Sequence, residues 1–171
     1  MAATLTPVLS FPPEVLLKAQ GIRACIFDVD GVLTDGRIYI GANGEEFKAF
    51  NTLDGHGLKL LAQGAVHGVA DAEVGHDKLA AANGLLASLQ LDWSQMGAIG
   101  DDWPDLPLMT RTGFTCAPAN AHAEVLAIAH HVTQARGGYG AARECCDLLL
   151  TAVGAYARLL HGHLTTLDGT P

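Results

Sequence analysis

Short unbroken runs of apolar residues recur along this chain. Longer stretches between them carry apolar residues at helical spacing. Residues 24–27 (Ala-Cys-Ile-Phe), 96–99 and 114–117 are runs of the first kind and read as buried strands, with 131–134 as a further short one. Helices are expected at 55–63, 77–89, 106–111 and 121–129, after an opening helix that Pro12-Pro13 can start and Gly21 can end. The longest helix is predicted over 140–160, where Leu148, Leu149, Val153, Tyr156 and Leu160 form one apolar stripe. Residues 37–40 and 45–50 read as two strands joined by Gly41-Ala42-Asn43-Gly44, a strong hairpin signal. Alternating strands and helices of this length predict an α/β fold with a parallel central sheet between helical layers.

Where the first strand ends, Asp28-Val29-Asp30-Gly31-Val32-Leu33-Thr34-Asp35-Gly36 begins. Alternation along a continuing strand would send Asp28 and Asp30 to one face. Open α/β sheets bind ligands at the carboxyl ends of their strands. Two close carboxylates repel unless a cation or a proton intervenes, so the pair calls for Mg²⁺ and suggests chemistry on a phosphate ester. A second acidic group, Gly100-Asp101-Asp102-Trp103-Pro104-Asp105, follows the strand at 96–99. Alone it reads as a solvated turn. Together the two clusters are far more specific, because every strand of a parallel sheet ends at the same edge.

The chain has 171 residues and a formal charge of −8, which predicts one domain and leaves no basic patch for nucleic acid. No apolar run approaches membrane-spanning length. The first 17 residues lack a basic leader and are broken by Pro12-Pro13, so a cytoplasmic protein is expected. None of the four cysteines forms a CxxC pair, and buried reduced thiols are the expectation. The eight histidines are scattered and read as ordinary residues.

The paired motifs resemble those of the haloacid dehalogenase superfamily of phosphohydrolases. Three further stretches sharpen the likeness: 45–51 (Glu-Glu-Phe-Lys-Ala-Phe-Asn), Asp54-Gly55-His56-Gly57, and 136–144 (Arg-Gly-Gly-Tyr-Gly-Ala-Ala-Arg-Glu). With the hairpin, they resemble the 3-deoxy-D-manno-octulosonate 8-phosphate phosphatases of lipopolysaccharide synthesis. The resemblance implies a Rossmann-like fold with a protruding hairpin at about 37–50 and no separate cap domain. It implies Asp28 as nucleophile, Asp30 as acid and base, and Lys78 as the phosphate-binding lysine. Mg²⁺ would be held by Asp28, Asp101 and the backbone carbonyl of Asp30, with Asp102 and Asp105 behind them. Substrate contacts would come from Asp30, Lys78 and the stretch Asn51, Thr52, Leu53, Asp54, Gly55 and Lys59. Leu53 stands where a basic residue is usual, and helix capping explains Asn51 and Asp54 equally well. Four hairpins would pair at the centre of a homotetramer.

One departure stands out. Where the family carries a strand ending in Ser/Thr-Gly-Arg and then a helix, this chain has only residues 62–77, short by roughly one strand and one helix. A phosphate-binding hydroxyl and two basic groups go with them. Residues 65–70 could slide into the vacant strand position, bringing Ala70 or Asp71 near the place of that hydroxyl. A small phosphorylated sugar is the expected substrate. The alternatives are another acidic sugar phosphate, such as a nonulosonate 9-phosphate, and an oligomeric binding module with impaired catalysis.

Overall fold

The computed structural model describes residues 6–70 and 77–165. Its centre is a five-stranded sheet of β1 (Ala24–Phe27), β4 (His67–Ala70), β5 (Met96–Ile99), β6 (Phe114–Ala117) and β7 (His131–Val132). The order is β4-β1-β5-β6-β7, and every pairing is parallel. β1 runs between β4 and β5, so Phe27 is in register with Ala70 on one side and Ile99 on the other. All five strands therefore finish along one edge, and β1 delivers the residue after Phe27 to its middle.

Alternation along β1 builds two cores. Cys25 and Phe27 face the layer of α1 (Pro13–Ala19), α2 (Thr52–Gln63), α6 (Ala141–Ala152) and α7 (Tyr156–Thr165), packing with Leu61, Leu148, Leu149 and Leu150. Ala24 and Ile26 face α3 (Lys78–Leu89), α4 (Leu106–Met109) and α5 (Ala123–Ile128), packing with Leu86, Met96, Met109 and Val125. All four cysteines are free and buried. No helix among the described residues is long and apolar enough to cross a membrane.

The predicted helix over 140–160 is two helices, not one. Gly154 takes φ +73°, and the amides of Gly154 and Ala155 return to Thr151 and Leu150 as a helix-ending motif. The restart rotates the stripe, so Leu159 rather than Leu160 is buried. α2 starts three residues earlier than predicted because Asn51 caps it, accepting from the Leu53 amide at 2.9 Å. The hairpin strands are short, β2 (Tyr39–Ile40) and β3 (Glu46–Phe47), and antiparallel. Ile40 and Phe47 on them remain 72% and 57% exposed. Residues 67–70 do occupy the sheet position beside β1, and Asp71 lies outside the described residues.

Candidate active site

The chain leaves β1 at Phe27, and the Asp28 amide still donates to the Ile99 carbonyl at 3.0 Å. It then coils through residues 29–33 instead of continuing as a strand, with Gly31 at φ +99°. Buried Thr34 stitches this loop: its hydroxyl donates to the Val29 carbonyl and accepts from the Gly31 and Gly36 amides. A Cβ on Gly31 would sit 2.1 Å from Asp101 Oδ2, so only glycine lets the loops after β1 and β5 close on each other.

That closure brings Asp28, Asp101 and Asp105 together, with one carboxylate oxygen from each within 4.8 Å of the others. Asp105 is buried and accepts from the Asp101 and Asp102 amides at 2.9 and 3.3 Å, holding the second acidic loop in a tight turn. Lys78 opens α3, where Asp77 caps the helix by accepting from Ala80. Its ammonium lies 2.5 Å from Asp28 Oδ1 and 2.6 Å from Asp105 Oδ1. Among the described residues, the Lys78 ammonium faces a cluster of three carboxylates. Burial first, then the charges of Asp28, Asp105 and Asp102, push the Asp101 carboxyl up to about 7 against the opposing pull of Lys78. This oxygen-only set, short of positive charge, fits a hard divalent cation such as Mg²⁺.

The predicted residues divide between places. Asp28, Lys78 and Asp101 meet, as described. Asp30 does not join them through its side chain: the turn at 29–33 breaks the strand alternation and directs its half-exposed carboxylate to Lys48 Nζ of the hairpin, 2.7 Å away. Asp105, expected behind the metal ligands, stands among the clustered carboxylates. Asn51 caps α2 and donates to the Gly138 carbonyl at 3.4 Å. Asp54 is 1% exposed, and its two oxygens accept from the Gly140 and Arg143 amides. It thus joins α2 to the start of α6, satisfying amides of that later helix rather than of the one it lies in, where Asn51 is the cap. Thr52, Leu53, Gly55 and Lys59 are exposed on the first turns of α2. Lys48 is the residue the motif reading passed over, and Asp105 is the one it placed a step too far from the cluster. The spacing Gly-Asp-Asp-x-x-Asp already signalled Asp105, whereas only the folded hairpin reveals Lys48.

A double-acid loop after a central parallel strand, a second acidic loop after its neighbour and a lysine between them define a phosphohydrolase centre. A family model for haloacid dehalogenase-like hydrolases matches residues 72–143. The 3-deoxy-D-manno-octulosonate 8-phosphate phosphatase of Yersinia pestis is 42% identical over 159 residues, covering 81% of this chain and 85% of that protein. A probable YrbI-family phosphatase of Pseudomonas syringae superposes with a TM-score of 0.80 at 39% identity, over 93% of this chain and 100% of the other. The Moraxella catarrhalis 3-deoxy-D-manno-octulosonate 8-phosphate phosphatase, solved with magnesium, phosphate and the sugar acid, gives 0.80 at 31% identity over 88% and 98%. The chain belongs to the haloacid dehalogenase-like hydrolases and is a phosphoric monoester hydrolase. Within that class it belongs to the family of the 3-deoxy-D-manno-octulosonate 8-phosphate phosphatases.

Proposed function

We propose that this protein hydrolyses an acidic sugar phosphate, with 3-deoxy-D-manno-octulosonate 8-phosphate as substrate, using Mg²⁺ at the Asp28–Asp101–Asp105 cluster. The observation that carries the reading is the lysine-bridged group of three carboxylates at the carboxyl edge of the sheet. The names of the Yersinia and Moraxella relatives support the choice of sugar.

In this reading Asp28 attacks phosphorus in line, forming an aspartyl-phosphate as the bond to the sugar oxygen breaks. Asp30 gives its proton to that leaving oxygen. The resulting Asp30 carboxylate then takes a proton from water, which attacks the aspartyl-phosphate and releases inorganic phosphate and free Asp28. Lys78, already on Asp28, holds the phosphoryl oxygens in line with the nucleophile. Asp28, Asp101 and the backbone carbonyl of Asp30 would hold Mg²⁺, with Asp105 beside them. When bound, the ion supplies positive charge against which two anions can approach.

A second reading, an oligomeric binding module with impaired turnover, draws on one observation. β4 stands beside β1 with Ala70 at the register of Phe27, so the strand end offers no hydroxyl there. Losing one oriented donor from a transition-state cradle costs on the order of 3 kcal/mol, about a hundredfold in rate. The Yersinia alignment of 159 residues uses only 81% of this chain, which supports a shortening of roughly twenty positions.

The protein is read as a homotetramer joined through the exposed hairpin, because a two-stranded ribbon with Ile40 and Phe47 in solvent is marginal alone. Four free, buried thiols support a reducing, cytoplasmic setting. Phosphate release from a panel of sugar phosphates, with and without Mg²⁺, tests the reading. Metal-dependent turnover that ranks the octulosonate ester first is expected. A nonulosonate 9-phosphate ranked first would replace the substrate, and no release from any ester would favour the binding module.

A further inference from the structure

Outside the carboxylate cluster, the structure holds a cleft of about 330 Å³ lined by Asp35, Arg37, Asn120, Arg136, Gly137 and Tyr139. Its donors are aimed without being consumed. The Arg136 guanidinium has no hydrogen bond or ion pair among the described residues. Asn120 Oδ1 accepts from the Gly137 amide at 2.9 Å, which fixes the amide and leaves its Nδ2 donors without a partner among the described residues. Asp35 also lines the cleft, but its charge is already met. It accepts from the Arg37 amide and the Tyr39 hydroxyl, and the Arg37 guanidinium lies 3.7 Å away. Two guanidinium groups against one engaged carboxylate leave the cleft net positive in a chain whose formal charge is −8.

The cleft is locked to the catalytic loop. A Cβ on Gly137 would meet the Gly31 carbonyl oxygen, and Gly138 donates to the Val32 carbonyl at 2.9 Å. Gly31 in turn lies against Asp101 Oδ2, so the backbone of one residue separates the arginine-bearing loop from the carboxylate cluster. A second cleft of about 210 Å³, shared at Asp35 and Tyr139, leads from there to Phe50 and Asn51. The two clefts share Asp35 and Tyr139, and the larger one carries the two arginines.

Resting on the proposed function, we infer that this cleft is a second anion-binding subsite. Arg136, with Arg37 and the Asn120 amide, takes the carboxylate of the sugar acid while its phosphate lies on Lys78 at Asp28. Arg136 would be a specificity-determining residue, since a guanidinium fork matches a carboxylate's two oxygens.

The test uses Arg136→Ala and Arg136→Lys in the full chain, with two readouts. In turnover, the preference for 3-deoxy-D-manno-octulosonate 8-phosphate over a neutral sugar phosphate should fall about tenfold or more in Arg136→Ala, chiefly through KM, and recover in part in Arg136→Lys. In calorimetric titration, the phosphate-free sugar acid should bind the unaltered protein and lose about tenfold or more in affinity in Arg136→Ala, whereas orthophosphate affinity should change far less. Equal losses for acidic and neutral substrates, or sugar-acid binding indifferent to Arg136, would overturn the subsite. Arg136-dependent orthophosphate binding would overturn it as a carboxylate site. If the unaltered protein releases no phosphate, the proposed function fails, and sugar-acid titration alone decides the subsite.

Discussion

Replacing Gly137 by alanine should separate loss of catalysis from loss of fold. The added Cβ would stand 1.7 Å from the Gly31 carbonyl oxygen and 2.5 Å from its carbon. Both obstacles are backbone, so no side chain can swing aside. Restoring even a 3.0 Å contact requires the two loops to part by about 1.3 Å. Gly31 lies against Asp101, and Gly138 holds the Val32 carbonyl, so that shift spreads directly through the loop carrying Asp28 and Asp30. A misplacement of about 1 Å in a reacting constellation costs roughly a hundredfold in rate. The packing strain itself costs about 1–3 kcal/mol, which in a chain of this size lowers Tm by roughly 2–10 °C. The expected result in a phosphate-release assay with Mg²⁺ is a kcat lower by about a hundredfold or more, in a protein that still melts cooperatively. Gly84→Ala serves as the control, because a Cβ there meets nothing within 4 Å on an exposed face of α3. It should raise stability by about 1 kcal/mol through helix propensity alone. Unchanged kcat and unchanged Tm in Gly137→Ala would refute the claim that this seam positions the catalytic loop.

Asp28→Asn should abolish phosphate release while circular dichroism stays that of the unaltered chain; retained turnover would remove Asp28 from the role of nucleophile. Chelation should stop turnover and added Mg²⁺ restore it. The stabilisation that Mg²⁺ confers should grow with pH, because the Asp101 carboxyl, raised to about 7, must lose its proton to bind a cation well. Without metal the sign runs the other way. The folded state holds the Asp54, Asp101 and Asp147 protons above the ordinary carboxylate range, so stability is fullest below that range and declines as pH rises toward 7. Thermal melts in chelator and in Mg²⁺ at several pH values measure both slopes, and a metal-induced shift equal at pH 5.5 and pH 8 (roughly either side of the Asp101 value) would contradict them. If the proposed hairpin-joined tetramer forms, Ile40→Glu should dissociate it, seen by light scattering; a sharp monomer peak for the unaltered chain at micromolar concentration would dispose of that assembly.

The parallel sheet was legible because β1, β5 and β6 are short, buried, largely apolar runs and the first two end at acidic motifs, so position and direction could be read together. The meeting of Asp28 and Asp101 followed from that topology, whereas Lys78, which opens a helix, was expected only from the family resemblance. What the sequence left open depended on backbone turns. Strand alternation misdirects at Asp30 because Gly31 bends the chain before a second pleat forms. The stripe from Leu148 to Leu160 keeps its helical period across Gly154, so periodicity alone conceals the break between α6 and α7. The contact of Lys48 with Asp30 spans 18 residues and depends on how the hairpin leans, which no local pattern records. Asp54 is a similar case: the sequence offered a cap on α2 or a substrate contact, whereas its carboxylate accepts from the Gly140 and Arg143 amides, 86 and 89 residues away.

β4 is four residues long, mostly half-buried, and borders the sheet, with no strand on its outer side among the described residues. Its amides lie on a margin of the sheet, so hydrogen–deuterium exchange should enter there before reaching the interior strands. Each excursion of this margin strips β1 of the neighbour that keeps Phe27, and with it the adjoining aspartate, in place. The rigidity of the reacting centre is thus tied to an outer border of the sheet.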